Sequence, residues 1–133
     1  MPNAIYPKYK EALYTRPSDS DMVAGVVKCA LVDTTSYSYS ASHEFFSSVS
    51  GVVGTPLAIT SKTFVNGVFD GDNLFFTNVT GPTVESLVFY IDTGVAATSR
   101  LIAYIDTDVT NLPVIPNGGD INIAWNALGI FAL

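Results

Sequence analysis

The sequence predicts a mainly β protein: an antiparallel β-sandwich or jelly-roll-like domain with a short N-terminal helix and one short internal helix. Beyond residue 51, short apolar runs alternate with glycine, asparagine, aspartate and proline, and no helical period is sustained. Candidate strands recur roughly every 8 to 14 residues, which leaves no room for the crossover helices that parallel strands need. With 48% hydrophobic and 14% charged residues, the composition excludes a disordered chain.

A short helix is predicted near the N-terminus. Pro7 suits a first helical turn, and Tyr6, Tyr9 and Leu13 fall near one face at helical spacing. Pro17 opens a polar connector, so the helix should end before Arg16.

Charge divides the chain into two parts. Residues 1–16 carry a net charge of +2, whereas residues 17–133 carry −8. We therefore predict an N-terminal arm with a short helix at 1–16 and a single β-sandwich domain at 17–133, because no linker interrupts the second part. The charged residues of the arm are Lys8, Lys10 and Arg16, against Glu11.

Strand and turn signals define the body. Residues 26–32 are rich in β-branched side chains and end in an Asp-Thr pair, as a core strand entering a turn would. Asn66 and Gly67, between apolar residues, predict a two-residue type I′ hairpin turn. The other candidate strands are 57–60, 62–65, 68–69, 74–77, 84–92, 100–106, 120–126 and 130–133.

The segment after the first core strand has a different pattern. Serine and tyrosine alternate over residues 36–40, which predicts an extended segment with both tyrosines on one side. Ser40 or Ser42 is a candidate N-cap for a helix through residues 43–47, and this is the short internal helix of the predicted fold.

Composition narrows the classes of function. A net charge of −6 and a pI near 4.3 argue against a nucleic-acid partner. The apolar runs are far shorter than the roughly 18 residues of a membrane-spanning helix, so we expect no membrane partner, and the N-terminal residues predict no secretion signal. One cysteine and one histidine offer no disulfide framework and little material for zinc. We expect no cofactor, no metal and no catalytic residues.

Asp92, Thr93 and Gly94 form the tripeptide that aspartic proteases use, in which two carboxylates share a proton. The same three residues are also favoured where a strand enters a turn. The turn is the preferred interpretation, and a dimeric protease in which Asp92 meets its symmetry mate is the alternative. His43 and Glu44 are adjacent acid/base groups, but no nucleophile motif accompanies them.

Three further features have a structural and a functional interpretation. The Asp70-Gly71-Asp72-Asn73 turn offers oxygen ligands that leave weak calcium binding open, although a plain hairpin turn explains it. Cys29 is interpreted as a small core residue without reactivity. Tyr37, Tyr39 and Trp125 are the candidates for an aromatic platform that would bind carbohydrate.

Five blocks of the sequence together resemble small virion structural proteins of tailed bacteriophages. The blocks are YPKYKEAL (6–13), VKCALVDT (27–34), YSYSASHEF (37–45), YIDTG (90–94) and PNGGDI (116–121). They lie across nearly the whole chain. Several such proteins are capsid cement, or decoration, proteins that clamp neighbouring major capsid subunits, and others belong to the neck or tail.

The resemblance implies a protein of the virion capsid surface, made in the host bacterial cytoplasm. It would bind the assembled shell of major capsid protein, associate with itself as a dimer or trimer and have no enzymatic activity. The arm would be ordered on a neighbouring subunit. The arm residues expected at this interface are Tyr6, Lys8, Tyr9, Lys10, Leu13 and Arg16. A neck or tail component and a carbohydrate-binding β-sandwich module are the alternatives.

Overall fold

A computed structural model describes residues 3–15, 17, 20–107, 109 and 111–132. The predicted fold class is confirmed: the described part of the chain is mainly β, with antiparallel sheets, one α-helix and short 3-10 turns. The core is continuous from the N-terminal segment through the last strands.

A five-stranded antiparallel sheet forms the centre of the molecule, in the order β1-β8-β7-β2-β3. Its middle strands are buried at nearly every position, which explains their near-continuous apolar sequence. Its strands are β1 (Ala4–Ile5), β2 (Val26–Val32), β3 (Val52–Ala58), β7 (Ser86–Asp92) and β8 (Arg100–Ile105).

Two smaller sheets complete the fold. One has the order β10-β5-β4 and the other pairs β6 with β9. The β4–β5 hairpin has the predicted two-residue turn, because Val65 pairs with Val68 and both Asn66 and Gly67 have positive φ, at 55° and 76°. The strands are β4 (Thr63–Val65), β5 (Val68–Asp70), β6 (Leu74–Phe76), β9 (Ile121–Ile123) and β10 (Phe131–Ala132).

Strand β3 begins earlier than predicted. The expected strand at 57–60 is instead Val52–Ala58, paired along β2. Gly54 and Pro56 interrupt the apolar pattern of this strand, but β3 lies at the sheet edge, where one side of the backbone needs no ladder hydrogen bond. The predicted strand at 120–126, in contrast, is shorter than expected and spans Ile121–Ile123.

Helix α1 spans Pro7–Thr15, as predicted. The prediction of an internal helix at 43–47 is wrong: a single 3-10 turn forms instead, at Phe46–Ser48. Phe45 is extended and bridges to Arg100, and the Phe46 N–H donates to the Ser99 carbonyl, so pairing with the start of β8 replaces the helical hydrogen bonds. Another 3-10 turn lies at Ala96–Thr98.

The two faces of the central sheet are covered by different layers. Phe89 of β7 contacts Trp125 and Phe131, so the smaller sheets cover this side, which we call the phenylalanine face. Tyr90 and Tyr104 point to the opposite side, because successive residues of a strand alternate and Val88 pairs directly with Tyr104. We call this side the tyrosine face; α1 and the segment 34–49 cover it.

The N-terminal segment packs on the chain's own sheet. Strand β1 pairs with β8, the Tyr6 N–H donates to the Ile102 carbonyl, and α1 buries Tyr9 and Ala12. This differs from the expectation of an arm held by a neighbouring subunit. The physical reason is that the apolar side of the helix finds its partner within the same chain.

Candidate functional site

The arm residues separate into a buried and an exposed group. Tyr6 and Tyr9 lie in the core, where their side chains offer no surface to a partner. Lys8 is half-buried and pairs with Glu11 across 3.1 Å. Lys10 is exposed. Arg16 lies outside the described residues.

The outward side of α1 carries apolar as well as cationic groups. Tyr14 is 89% exposed and Leu13 is 37% exposed, beside Lys10. Tyr14 was not among the predicted interface residues, although its position four residues after Lys10 places both on the same side of the helix. We call Lys10, Leu13 and Tyr14 the outer face of α1.

On the tyrosine face, hydroxyl groups form a connected chain. The hydroxyl oxygens of Tyr6 and Tyr37 lie 2.7 Å apart, and the Tyr37 hydroxyl lies 2.8 Å from Nδ1 of His43. Burial raises the pKa of Tyr6 and of Tyr37 above the ordinary tyrosine value. Both hydroxyls therefore stay protonated, and this chain fixes the position of the Tyr37 ring.

A cavity of about 390 Å³ opens beside these rings. Aromatic side chains and carboxylates line it together: the Tyr39 and Tyr104 ring centroids are 5.6 Å apart, and Glu85 accepts a hydrogen bond from the Thr34 N–H at 3.1 Å. Desolvation raises the pKa of Tyr104, and the negative charges of Asp106 and Glu85 raise it further. We call this the tyrosine cavity. Its lining residues are Thr34, Tyr37, Ser38, Tyr39, Glu85, Tyr104, Asp106 and Pro113.

The predicted aromatic platform is divided between the two faces. Tyr37 and Tyr39 both line the tyrosine cavity, as their alternation predicted. Trp125 lies on the phenylalanine face, where its ring contacts Phe89 and its Nε1–H donates to the Asp72 carbonyl at 2.8 Å. The three side chains therefore do not form one surface.

Asp92 occupies a strand-to-turn junction. Its carboxylate lies 2.8 Å from Lys28 Nζ and accepts the Gly94 N–H at 2.9 Å. The hydrogen bond from Lys28, followed by that from Gly94, holds the pKa of Asp92 below its ordinary value. These contacts of the carboxylate come from the neighbouring strand β2 and from the turn itself, which supports the turn interpretation.

His43 and Glu44 have separate partners. His43 contacts Tyr37, whereas Glu44 Oε2 lies 3.1 Å from Arg100 Nη1. The Arg100 guanidinium also lies 5.0 Å from the centre of the Phe45 ring. These contacts tie the segment 43–46 to the start of β8.

The Asp70–Asn73 turn uses its oxygens within the chain. Asp72 accepts a hydrogen bond from the Thr60 hydroxyl, and the Asn73 side-chain oxygen accepts one from the backbone N–H of Trp125. Among the described residues, no three or more histidine, cysteine, aspartate or glutamate side chains are grouped to hold a metal ion. Calcium binding at this turn stays an open alternative without structural support.

Cys29 lies fully buried on the phenylalanine face, opposite Phe89. Burial raises the pKa of its thiol well above the ordinary value. The thiol therefore stays protonated, which favours the interpretation as a core residue.

No protein-family model matches the chain, and no curated protein matches it. Within the described part of the chain, no helix has the length and apolar character needed to cross a membrane.

Proposed function

We propose that the chain is a structural virion protein, a capsid cement or decoration protein that binds the assembled shell of major capsid protein and stabilises it. The proposal starts from the five sequence blocks that resemble small virion proteins of tailed bacteriophages. A protein that binds the assembled shell, and not its dissociated subunits, stabilises the shell by mass action. Such a protein needs a docking surface and no catalytic site.

The outer face of α1 is the observation that carries this proposal. Tyr9 and Ala12 anchor the helix to the sheet, so Lys10, Leu13 and Tyr14 are held in fixed positions at the surface. An exposed tyrosine is a residue type that often contributes strongly to protein interfaces. Lys10 adds a positive charge that would steer the helix to an acidic patch on the shell or on a second copy of this acidic chain. Docking through a preformed helix replaces the arm in the mechanism.

Symmetry adds to the effect of each contact. A shell repeats its binding site many times, and self-association as a dimer or trimer would let one assembly hold several sites at once. Weak single contacts then suffice for stable decoration.

The location and copy number of the protein in purified particles test the proposal, by cryo-electron microscopy with gel densitometry. On the order of hundreds of copies on the shell would support a cement protein, because decoration follows the shell symmetry. A few copies at one vertex or along the tail axis would assign the chain to the neck or tail instead. Absence from the particles would contradict a virion role.

A matched pair of variants tests the docking surface. Tyr14→Ala should weaken binding to undecorated shells by about tenfold or more, as expected for an interface anchor. Ile115→Ala is the control, because Ile115 is also an exposed large apolar residue and lies outside α1. Equal binding of both variants and the parent protein would remove α1 from the mechanism.

The carbohydrate-binding module stays an alternative on one observation. Tyr37 and Tyr39 line a cavity that also holds Glu85 and Asp106, and sugar sites combine aromatic rings with carboxylates. The position of Trp125 on the opposite face weakens this alternative. Binding of soluble oligosaccharides, followed by tyrosine fluorescence, would support it.

A further inference from the structure

We propose that the tyrosine cavity is a binding site for an organic cation, the guanidinium or ammonium group of an arginine or lysine side chain on a partner protein. The proposal is independent of the capsid function, because it rests on the cavity alone. Its volume of about 390 Å³ lies within the usual range of small-ligand sites and accommodates one long side chain.

The aromatic walls suit a cation. The Tyr104 ring centroid lies 5.6 Å from that of Tyr39 and 6.4 Å from that of Tyr37. The face of an aromatic ring attracts a cation, most strongly where water is excluded. Tyr37 and Tyr104 are almost fully buried, so little ring face is open for a flat sugar to stack on. The half-buried Tyr39 ring is the one that a cationic group can reach.

The walls are also preorganised. The Tyr37 hydroxyl contacts both Tyr6 and His43, and the Tyr39 ring packs between Tyr6 and Tyr104. Side chains that are fixed before binding lose little conformational freedom when the ligand arrives. The site is therefore formed in the free protein.

The acidic residues of the cavity favour a positively charged ligand. Glu85 and Asp106 both line the cavity, and none of its described lining residues is a lysine, arginine or histidine. Glu85 presents a carboxylate that accepts one backbone N–H, which leaves lone pairs for a cationic donor. An anion would meet two carboxylates and is excluded.

Most of the chain's own cations are engaged elsewhere. Lys28 pairs with Asp92, and Arg100 pairs with Glu44. Lys62 donates to the carbonyls of Met22 and Gly25, each at 2.7 Å. These three cations therefore do not occupy the cavity, which is open to a cation from a partner.

Isothermal titration calorimetry with defined probes tests this site on the full chain. N-acetyl-arginine amide and N-acetyl-lysine amide should bind with millimolar dissociation constants, as expected for a single side chain. N-acetyl-citrulline amide, which has nearly the same shape and no charge, should bind at least about tenfold more weakly. Equal binding of the citrulline probe, or no heat from either cationic probe, would overturn the proposal.

Two variants locate the binding. Glu85→Gln should weaken the arginine probe by about tenfold, because it removes a charge and keeps an oxygen for the Thr34 N–H. Glu11→Gln, on α1, changes the net charge by the same amount as Glu85→Gln and should leave binding of the arginine probe unchanged. An equal loss in both variants would mean attraction by overall charge alone and would overturn the site.

A third comparison separates a protein side chain from a free small cation. Guanidinium ion alone should bind at least about tenfold more weakly than the arginine probe, since it lacks the methylene stem that fills the cavity. Binding of tetramethylammonium or guanidinium as tightly as the arginine probe would contradict a protein side chain as the occupant.

Discussion

The two faces of the central sheet bury their aromatic side chains in different ways. On the phenylalanine face, Phe89 packs against Trp125 and Phe131 through apolar contact. On the tyrosine face, Tyr37 and Tyr104 bury comparable rings but also place hydroxyls beside carboxylates and a histidine. Cavities open on both sides, but the two of about 220 Å³ beside Trp125 and Phe131 have no charged residue in their described lining, whereas the tyrosine cavity is lined by Glu85 and Asp106. Strand alternation thus places a structural face and a binding face on one sheet.

The largest effect should come from the phenylalanine face. Phe89→Ala removes a fully buried ring and leaves a cavity, so it should lower the free energy of unfolding by about 3–5 kcal/mol. Urea denaturation measures this change. The control is Phe75→Ala, at a side chain that is 60% exposed, and it should change stability by less than about 0.5 kcal/mol. Similar losses in both variants would contradict the assignment of this face as the main core.

Loss of a single hydroxyl oxygen on the tyrosine face should lower the stability of the protein. Tyr37→Phe keeps the ring but leaves the buried Tyr6 hydroxyl without its partner, at a cost of about 1–3 kcal/mol. Thermal unfolding of this variant is compared with that of Tyr14→Phe, where the exposed hydroxyl is replaced at almost no cost. Unchanged stability in Tyr37→Phe would show that the hydroxyl chain does not stabilise this face.

Acid sensitivity should also belong to the tyrosine face, where Asp92 pairs with Lys28 beside Tyr90. Because the pKa of Asp92 is lowered on folding, its contribution is fully present above the unfolded value of roughly 3.9 and is lost as the pH falls through the lower folded value. Asp92→Asn should cost about 1 kcal/mol at neutral pH and progressively less in acid.

Phe89→Ala provides the contrast, since its loss of stability should be the same at each pH. Denaturation curves between neutral pH and about pH 3 compare the two variants. A constant difference between Asp92→Asn and the parent protein over this range would contradict the Lys28 pairing.

The smallest effect concerns Cys29. Its thiol lies within the phenylalanine face, and burial keeps it protonated. A thiol-specific reagent should therefore label the native protein only as fast as the sheet opens, and label the unfolded protein at once. Immediate labelling of the native protein would show that this face admits solvent.

Local signals in the sequence predicted the elements that local chemistry determines. The Asn66-Gly67 turn follows from the positive φ that a two-residue hairpin needs, and α1 follows from Pro7 and the helical spacing of Tyr6 and Tyr9. Both depend on neighbours within a few residues. Strand β3 was placed too late because its Gly54 and Pro56 are tolerated only at a sheet edge, and edge position is a property of the whole sheet.

The candidate site shows the same division. Alternation placed Tyr37 and Tyr39 on one side, and the structure keeps them together. The alternation could not predict that Tyr6 packs beside Tyr37 and Tyr39, because Tyr6 reaches them only when β1 pairs with β8. The same long-range pairing buries Tyr6 and Tyr9, which were expected at an interface, and leaves Tyr14 exposed.

Aromatic carbon NMR during titration with N-acetyl-arginine amide tests most directly whether the two faces divide structure from binding. The ring signals of Tyr37, Tyr39 and Tyr104 should shift progressively, while those of Phe89, Trp125 and Phe131 stay fixed. Shifts of equal size on both faces, or shifts confined to the phenylalanine face, would contradict the division.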